Sequence, residues 1–366
     1  MRSLWLLQLR RLRRARPALA ALPLLGFLGL LPAAGCALNT TALGEGVWVA
    51  SGDPPAPNSG IVRTPFGPVV IDGQPGAAPG AALLAATRKV TGFKDVPYLI
   101  LTSHHADHTL SNELFLRAEI VSSDVARAAL LDKSEAERKA LHDRLGVAGA
   151  GSAEVVPPTM TFQKEMTLYA GWPRDKVREV RLVRMPSGAA PGNLVVILPG
   201  AKVLFAGDLV TNGVFPYMGD AELGGWLAAL AELEKMDFDR LVPGHGAPGG
   251  RELIGDTRRL LVDLAEALAV MRSAGRKLED ARKELVLPRY QKWPGYKELL
   301  PVAVERLWDQ RLPDEFVKKP LGPERAPPPP PSPSPAPPSA PSAPSAPSAA
   351  VRTDSPAAIA PEEPGK

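Results

Sequence analysis

The chain has 366 residues, 45% of them hydrophobic and 22% charged, which is enough for one large domain or two average ones around a real core. A single cysteine excludes an internal disulfide framework and any cysteine-rich zinc module, whereas five histidines can still build a metal site. The formal charge of +4 rests on Arg2, Arg10, Arg11, Arg13, Arg14 and Arg16; without residues 1–35 it is about −2, which argues against a basic nucleic-acid-binding surface.

Residues 1–35 read as an export signal: an arginine-rich start, an apolar stretch over 17–31, then Leu31-Pro32-Ala33-Ala34-Gly35-Cys36. That ending resembles a bacterial lipobox, in which cleavage after Gly35 leaves Cys36 to carry lipid. An ordinary cleaved signal and an uncleaved anchor are the competing readings, although Pro23 and Pro32 interrupt the apolar run and leave it short for a spanning helix of ~20 residues. The expectation is a lipoprotein anchored to a bacterial membrane and facing the periplasm, since several chains on one terminus anchor stably where one does not.

Residues 36–46 are assigned to a linker and 47–312 to the folded domain. Within it, β-branched runs at 47–50, 60–63 and 69–72 predict consecutive strands bounded by Gly, Pro and Asn. A helix is predicted at 81–90 and a buried strand at 98–101, running into a histidine cluster. A long helix follows at 123–145, started by Ser123 or Asp124. Further strands are predicted at 177–184, 193–198, 203–205 and 240–242, and a helix at 223–236. From residue 254 the pattern is helical, with breaks at Gly275, Pro288 and Pro294. Strands on both sides of a helical stretch imply mixed α/β (α+β) sheets covered by helices. Residues 313–366 are a tail that is mostly Pro, Ala and Ser from Pro327 on. Such a segment has too few large apolar side chains to offset the entropy of ordering, and is expected to be an extended, polyproline-like spacer with at most a weak partner.

Four segments carry the chemistry, each expected at a strand end: Ser103-His104-His105-Ala106-Asp107-His108, Gly188-Ala189-Ala190-Pro191-Gly192-Asn193, Gly207-Asp208, and Pro243-Gly244-His245-Gly246. Side chains leaving neighbouring strand ends can converge on one ion, and imidazole with carboxylate suits a hard or borderline cation. A lone loop histidine is usually an ordinary hydrogen-bonding group; several such segments in one order are not explained that way.

In these segments, and in Val69-Val70-Ile71-Asp72-Gly73, the chain resembles the metallo-β-lactamase fold superfamily over about residues 47–312. The resemblance implies a four-layer αββα sandwich with a one- or two-metal site at the sheet edges. The helices after Trp226 look most like the periplasmic branch related to quinoprotein-relay metallohydrolases. The family motif is His-x-His-x-Asp-His, then a single His, then Asp, then His. Here Ser103, His105 and Ala189 stand at the three first-metal positions, so that site is degenerate. Asp107, His108, Asp208 and His245 complete the second. His104, next to a lost position, is expected to point elsewhere, and His142 to lie on a helix surface. Asp72 corresponds to the residue that orients the metal-binding loop.

The resemblance therefore implies an exported hydrolase holding one zinc ion, with iron and manganese as alternatives, that cleaves an ester, thioester, lactone or lactam-type bond of a small molecule through metal-activated water. Asp107 or His105 is the expected general base. The rival expectation is a catalytically impaired pseudoenzyme or binding lipoprotein that keeps the fold and one metal. Phe215, Tyr217 and Trp226 are weighed as pocket-lining residues against the commoner role of core packing. For the anchor, Cys36→Ser is expected to move the chain from the membrane to the soluble fraction. An uncleaved variant that still sediments with membranes would refute the lipoprotein assignment.

Overall fold

The computed structural model describes residues 38–145 and 154–317; the expected signal, Cys36 and the tail beyond residue 317 lie outside the described residues. Among the described residues no helix is long and apolar enough to cross a membrane. Two sheets organise the chain. The first has seven strands in sequence order: β1 (Asn39–Gly44), β2 (Val47–Ser51), β3 (Asn58–Thr64), β4 (Gly67–Ile71), β5 (Tyr98–Ile100), β6 (Glu119–Ser123) and β7 (Met160–Phe162). It is antiparallel from β1 to β4 and parallel from β4 to β7. The second sheet orders β12 (Arg240–His245), β11 (Val203–Thr211), β10 (Leu194–Leu198), β9 (Arg178–Arg184) and β8 (Glu165–Ala170), with only β11 and β12 parallel.

The side-chain alternation of these strands builds three apolar layers. Val69, Ile71 and Ile100 meet Leu182, Leu194, Val196 and Phe205 between the sheets. On the opposite face Val70, Leu99 and Leu101 pack against Leu83 and Ala86 of helix α1 (Ala77–Thr91). Val195, Ile197 and Leu204 turn outward beneath helices α4 (Leu223–Leu233) and α5 (Glu252–Ser273) and the later helix Tyr296–Leu307. Helix, sheet, sheet, helix is thus the layer order. The apolar runs of the central strands are continuous because both of their faces are covered.

Three departures from the sequence expectations have simple causes. Residues 39–44, assigned to the linker, are strand β1, paired with β2 in the register Asn39↔Ser51. Only Leu43 of β1 is buried, so an exposed edge strand left little hydrophobic pattern to read. β7 and β8 escaped notice for the same reason, with half-exposed or exposed positions along most of their length. Gly207 and Asp208 do not sit at a strand end: β11 continues through them to Thr211, with irregular pairing to β12 between Phe205 and Thr211.

Trp226 and Phe215 belong to the core. Trp226 is fully buried, and its indole N–H donates to the Leu209 carbonyl at 2.9 Å. Phe215 is buried edge-on against Tyr296. Trp226→Ala is expected to lower unfolding free energy by about 3–5 kcal/mol, because a large ring and its hydrogen bond are lost together. Chemical denaturation followed by far-UV circular dichroism would measure it, and a loss under ~1 kcal/mol would contradict this packing.

Candidate metal centre

The loop after β5 is held from below by Asp72. This residue follows β4 in a left-handed conformation (φ 60°), and its carboxylate accepts the Thr102 N–H and the Thr102 hydroxyl, both at 2.7 Å. The chain then turns into the short helix α2 (Ala106–Thr109), which carries Asp107 and His108. Asp208 enters from β11 and His245 from the end of β12. Two glycines let these segments approach closely. A Cβ on Gly244 would lie 2.4 Å from Asp208 Oδ1, and one on Gly207 (φ 54°) 2.4 Å from the Thr102 hydroxyl.

These four side chains converge. His108 Nε2 lies 3.0 Å from Asp208 Oδ1 and 3.8 Å from Asp107 Oδ2, and His245 Nε2 lies 3.4 and 3.2 Å from the same two oxygens. Both imidazoles reach this centre with Nε2, and each Nδ1 faces an oxygen outside it. His245 Nδ1 is 2.8 Å from the Pro55 carbonyl, which can only accept, so Nδ1 carries the hydrogen and Nε2 of the neutral ring keeps its lone pair. His108 Nδ1 lies 3.3 Å from Asp72 Oδ2. Carbonyl or carboxylate behind the ring and a free nitrogen in front is the arrangement that orients histidines towards metals. Asp107, His108 and His245 place their ligand atoms within 4.8 Å of one another. Two imidazoles and two carboxylates form a donor set that fits a borderline divalent cation.

Without a cation, protons balance these charges. Burial alone would raise the pKa of Asp208. The charge of His108, with hydrogen bonds from His105, His108 and His245, outweighs it and holds the carboxyl well below its usual range. Burial opposes protonation of His108, but the charges of Asp208, Asp107 and Asp72 raise its pKa well above the ordinary value. Burial likewise opposes a charged His245; the hydrogen bonds to Asp107 and Asp208 prevail and push it up to about 10.

The first-metal positions behave differently. Ser103 is buried with its hydroxyl 3.5 Å from Asp208 Oδ2, and it accepts the His105 N–H. Ala189 is buried in the apolar layer beneath the helices and offers no donor. His105 Nδ1 approaches Asp208 Oδ2 at 2.6 Å. His104 turns away from the four and faces Asp220, 3.3 Å from Nε2. His142 is exposed on helix α3 (Asp124–Leu145). Of the three aromatics, only Tyr217 approaches the centre, edge-on to His105 at 5.2 Å.

Sequence reasoning missed Pro55, Asn58, Asp220 and Lys133. Asn58 ties β3 to the His245 loop by donating to the carbonyls of Pro243 and Gly246. Asp220 pairs with Lys133 of α3. None of these belongs to a periodic or spaced motif, so no local signal marks them.

With this geometry the chain can be placed among known proteins. The profile of the metallo-beta-lactamase superfamily matches residues 52–245, and the chain belongs to that family of metal-binding hydrolases. A linear primary-alkylsulfatase of Pseudomonas sp. is 25% identical over 242 residues, which is 56% of this chain and 44% of the sulfatase, so the chain spans less than half of that relative. Among solved structures, a metallo-beta-lactamase from Pontibacter korlensis aligns with 62% of this chain and 99% of its own, at a TM-score of 0.51 and 24% identity. One from Hirschia baltica aligns with 62% and 98%, at 0.48 and 20%. These likenesses concern the fold.

The raised pKa of His245 sets a pH dependence. Its protonated form stabilises the metal-free fold fully below the unfolded value near 6.5, and this contribution is lost as pH rises through about 10. A cation must displace the same proton. Between pH 6.5 and 10 the metal-free chain is therefore expected to melt at falling temperature while zinc affinity climbs. Calorimetric titration in buffers of different ionisation heat should register proton release on binding; release of none would contradict the charge state described.

Proposed function

We propose that the chain is a metal-dependent hydrolase in which Asp107, His108, Asp208 and His245 hold one zinc ion, and that it cleaves an ester, thioester, lactone or lactam-type bond of a small molecule. Iron and manganese suit the same donors. The observation that carries this reading is the presentation of His108 and His245, each with Nε2 towards the two carboxylates and Nδ1 against an outer acceptor. When bound, the cation supplies Lewis-acid polarisation of the substrate and activation of the attacking water.

The chain's own residues do the rest. Asp107 is the most exposed of the two carboxylates at the centre, so it is the one that can take a proton from a water arriving from solvent. Asp208, nearly buried, stays ionised and holds His105. His105 acts through Asp208 in this reading rather than as a second base, because its ring is buried and its Nδ1 is committed. The alkylsulfatase likeness adds a sulfate ester to the substrates worth assaying. Export and a lipid anchor at Cys36, with the chain facing the periplasm, belong to the same proposal; they rest on the arginine-rich, apolar, small-residue sequence of residues 1–36.

His245→Ala is expected to remove most of the metal held by the four residues and to lower hydrolysis at least ~10–100-fold, the range seen when even outer partners of a metal ligand are lost. Elemental analysis combined with a panel of ester, thioester, lactone, β-lactam and alkyl sulfate substrates reads both quantities. Metal binding without turnover on any of them would favour the pseudoenzyme. Absence of both metal and turnover would overturn the hydrolase reading.

A further inference from the structure

Beside the four proposed ligands, the described residues hold a second group of ligating side chains: His104, His105 and Asp220, whose ligand atoms also lie within 4.8 Å of one another. His104 Nε2 is 3.3 Å and His105 Nε2 3.8 Å from Asp220 Oδ2. Consecutive residues of an extended segment normally point to opposite sides. Here the chain is turning into α2, and the two rings sit 5.0 Å apart, tilted by 55°, with both Nε2 atoms towards the same carboxylate oxygen. All three side chains are nearly or fully buried, with exposures of 0% for His104, 4% for His105 and 12% for Asp220.

Two further observations point to a cation. Asp208 sits behind His105 at Nδ1, 2.6 Å away, so the neutral ring presents an unprotonated Nε2 to Asp220, again with a carboxylate backing the histidine. The charges also leave a surplus. Among the described residues, Asp72, Asp107, Asp208 and Asp220 gather around these histidines, with one ammonium, Lys133, on Asp220 Oδ1. One divalent ion at the four proposed ligands would still leave a net negative charge among these groups. Lys133 occupies one oxygen of Asp220 while the histidines face the other, so ammonium and metal need not share a position.

We infer that His104, His105 and Asp220 form a second divalent-cation site, selective for a borderline ion such as zinc. It takes neither Ser103 nor Ala189, the positions from which the family's first metal would be held. Three protein ligands leave a coordination position open. The neighbouring ammonium makes this site the weaker of the two. The expectation of a single ion set His104 aside as pointing elsewhere; it turns, with His105, towards Asp220. The inference does not depend on hydrolysis, since it concerns binding alone.

The test is zinc titration of the full chain against a chromophoric chelator, with elemental analysis after desalting. Two steps and two zinc ions per chain are expected. His104→Gln and Asp220→Asn should each abolish the weaker step and leave the tighter one within ~2-fold, whereas His245→Ala should abolish the tighter step and leave the weaker. Lys133→Met should tighten the weaker step by about 2- to 5-fold, the scale of a partly exposed ion pair. Cobalt substitution gives an independent readout: the His104 and Asp220 variants should lose one set of visible absorption bands. If the unaltered chain binds one zinc, and Lys133→Met adds none, the cluster is an ion-paired brace and the inference is overturned. A second zinc that survives in both the His104 and Asp220 variants overturns it as well, by placing that ion elsewhere. Loss of the tighter step alone in the unaltered chain would count against the proposed hydrolase and not against this site.

Discussion

A carboxylate buried in the middle of a nine-residue strand, every position of which is shielded from solvent, costs several kcal/mol unless opposite charge and hydrogen bonds meet it, and Asp208 in β11 is such a group. Its oxygens are met by His105, His108 and His245 from two other stretches of the chain. Gly244 supplies the space for its carboxylate, and Gly207 lets Thr102 lie against the strand. The remaining features follow from that requirement. β5 and β12 must end beside the same point of β11, and Asp72 must brace the loop between β5 and α2. The charged centre therefore lies where both sheets end together.

Ser103 and Ala189 stand where the resemblance leads one to expect imidazoles, and both are buried. They offer a hydroxyl and a methyl at those positions. His105 then has Asp208 on one side and Asp220 on the other. The acids outnumber the resident ammonium, and the metal-free centre must balance them with protonated histidines, which is why His108 and His245 hold protons far above the usual range. A centre of this kind binds cations in competition with protons.

The loops that rim the centre are where this chain is individual. Pro55, Asn58, Tyr217 and Asp220 come from segments 51–59 and 211–222, and each reaches a residue of the centre or of the His245 loop. One fold carries many reactions through loops like these, so family membership assigns the layer order and the class of chemistry rather than a substrate.

The sequence by itself determined the layered α/β class, most of the central strands and helices, and which residues have the chemistry to ligate a metal. Apolar periodicity and the short spacing of Asp107 and His108 are local signals and survive in one dimension. The edge strands β1, β7 and β8 were not legible, because a half-exposed strand carries little apolar pattern. Only the tertiary structure decided that Asp208 lies inside a continuous strand, that Trp226 is core, and that His104 faces Asp220, which also pairs with Lys133. Those facts depend on contacts between residues dozens to more than a hundred positions apart, brought together by the packing of two sheets, and no local spacing records them.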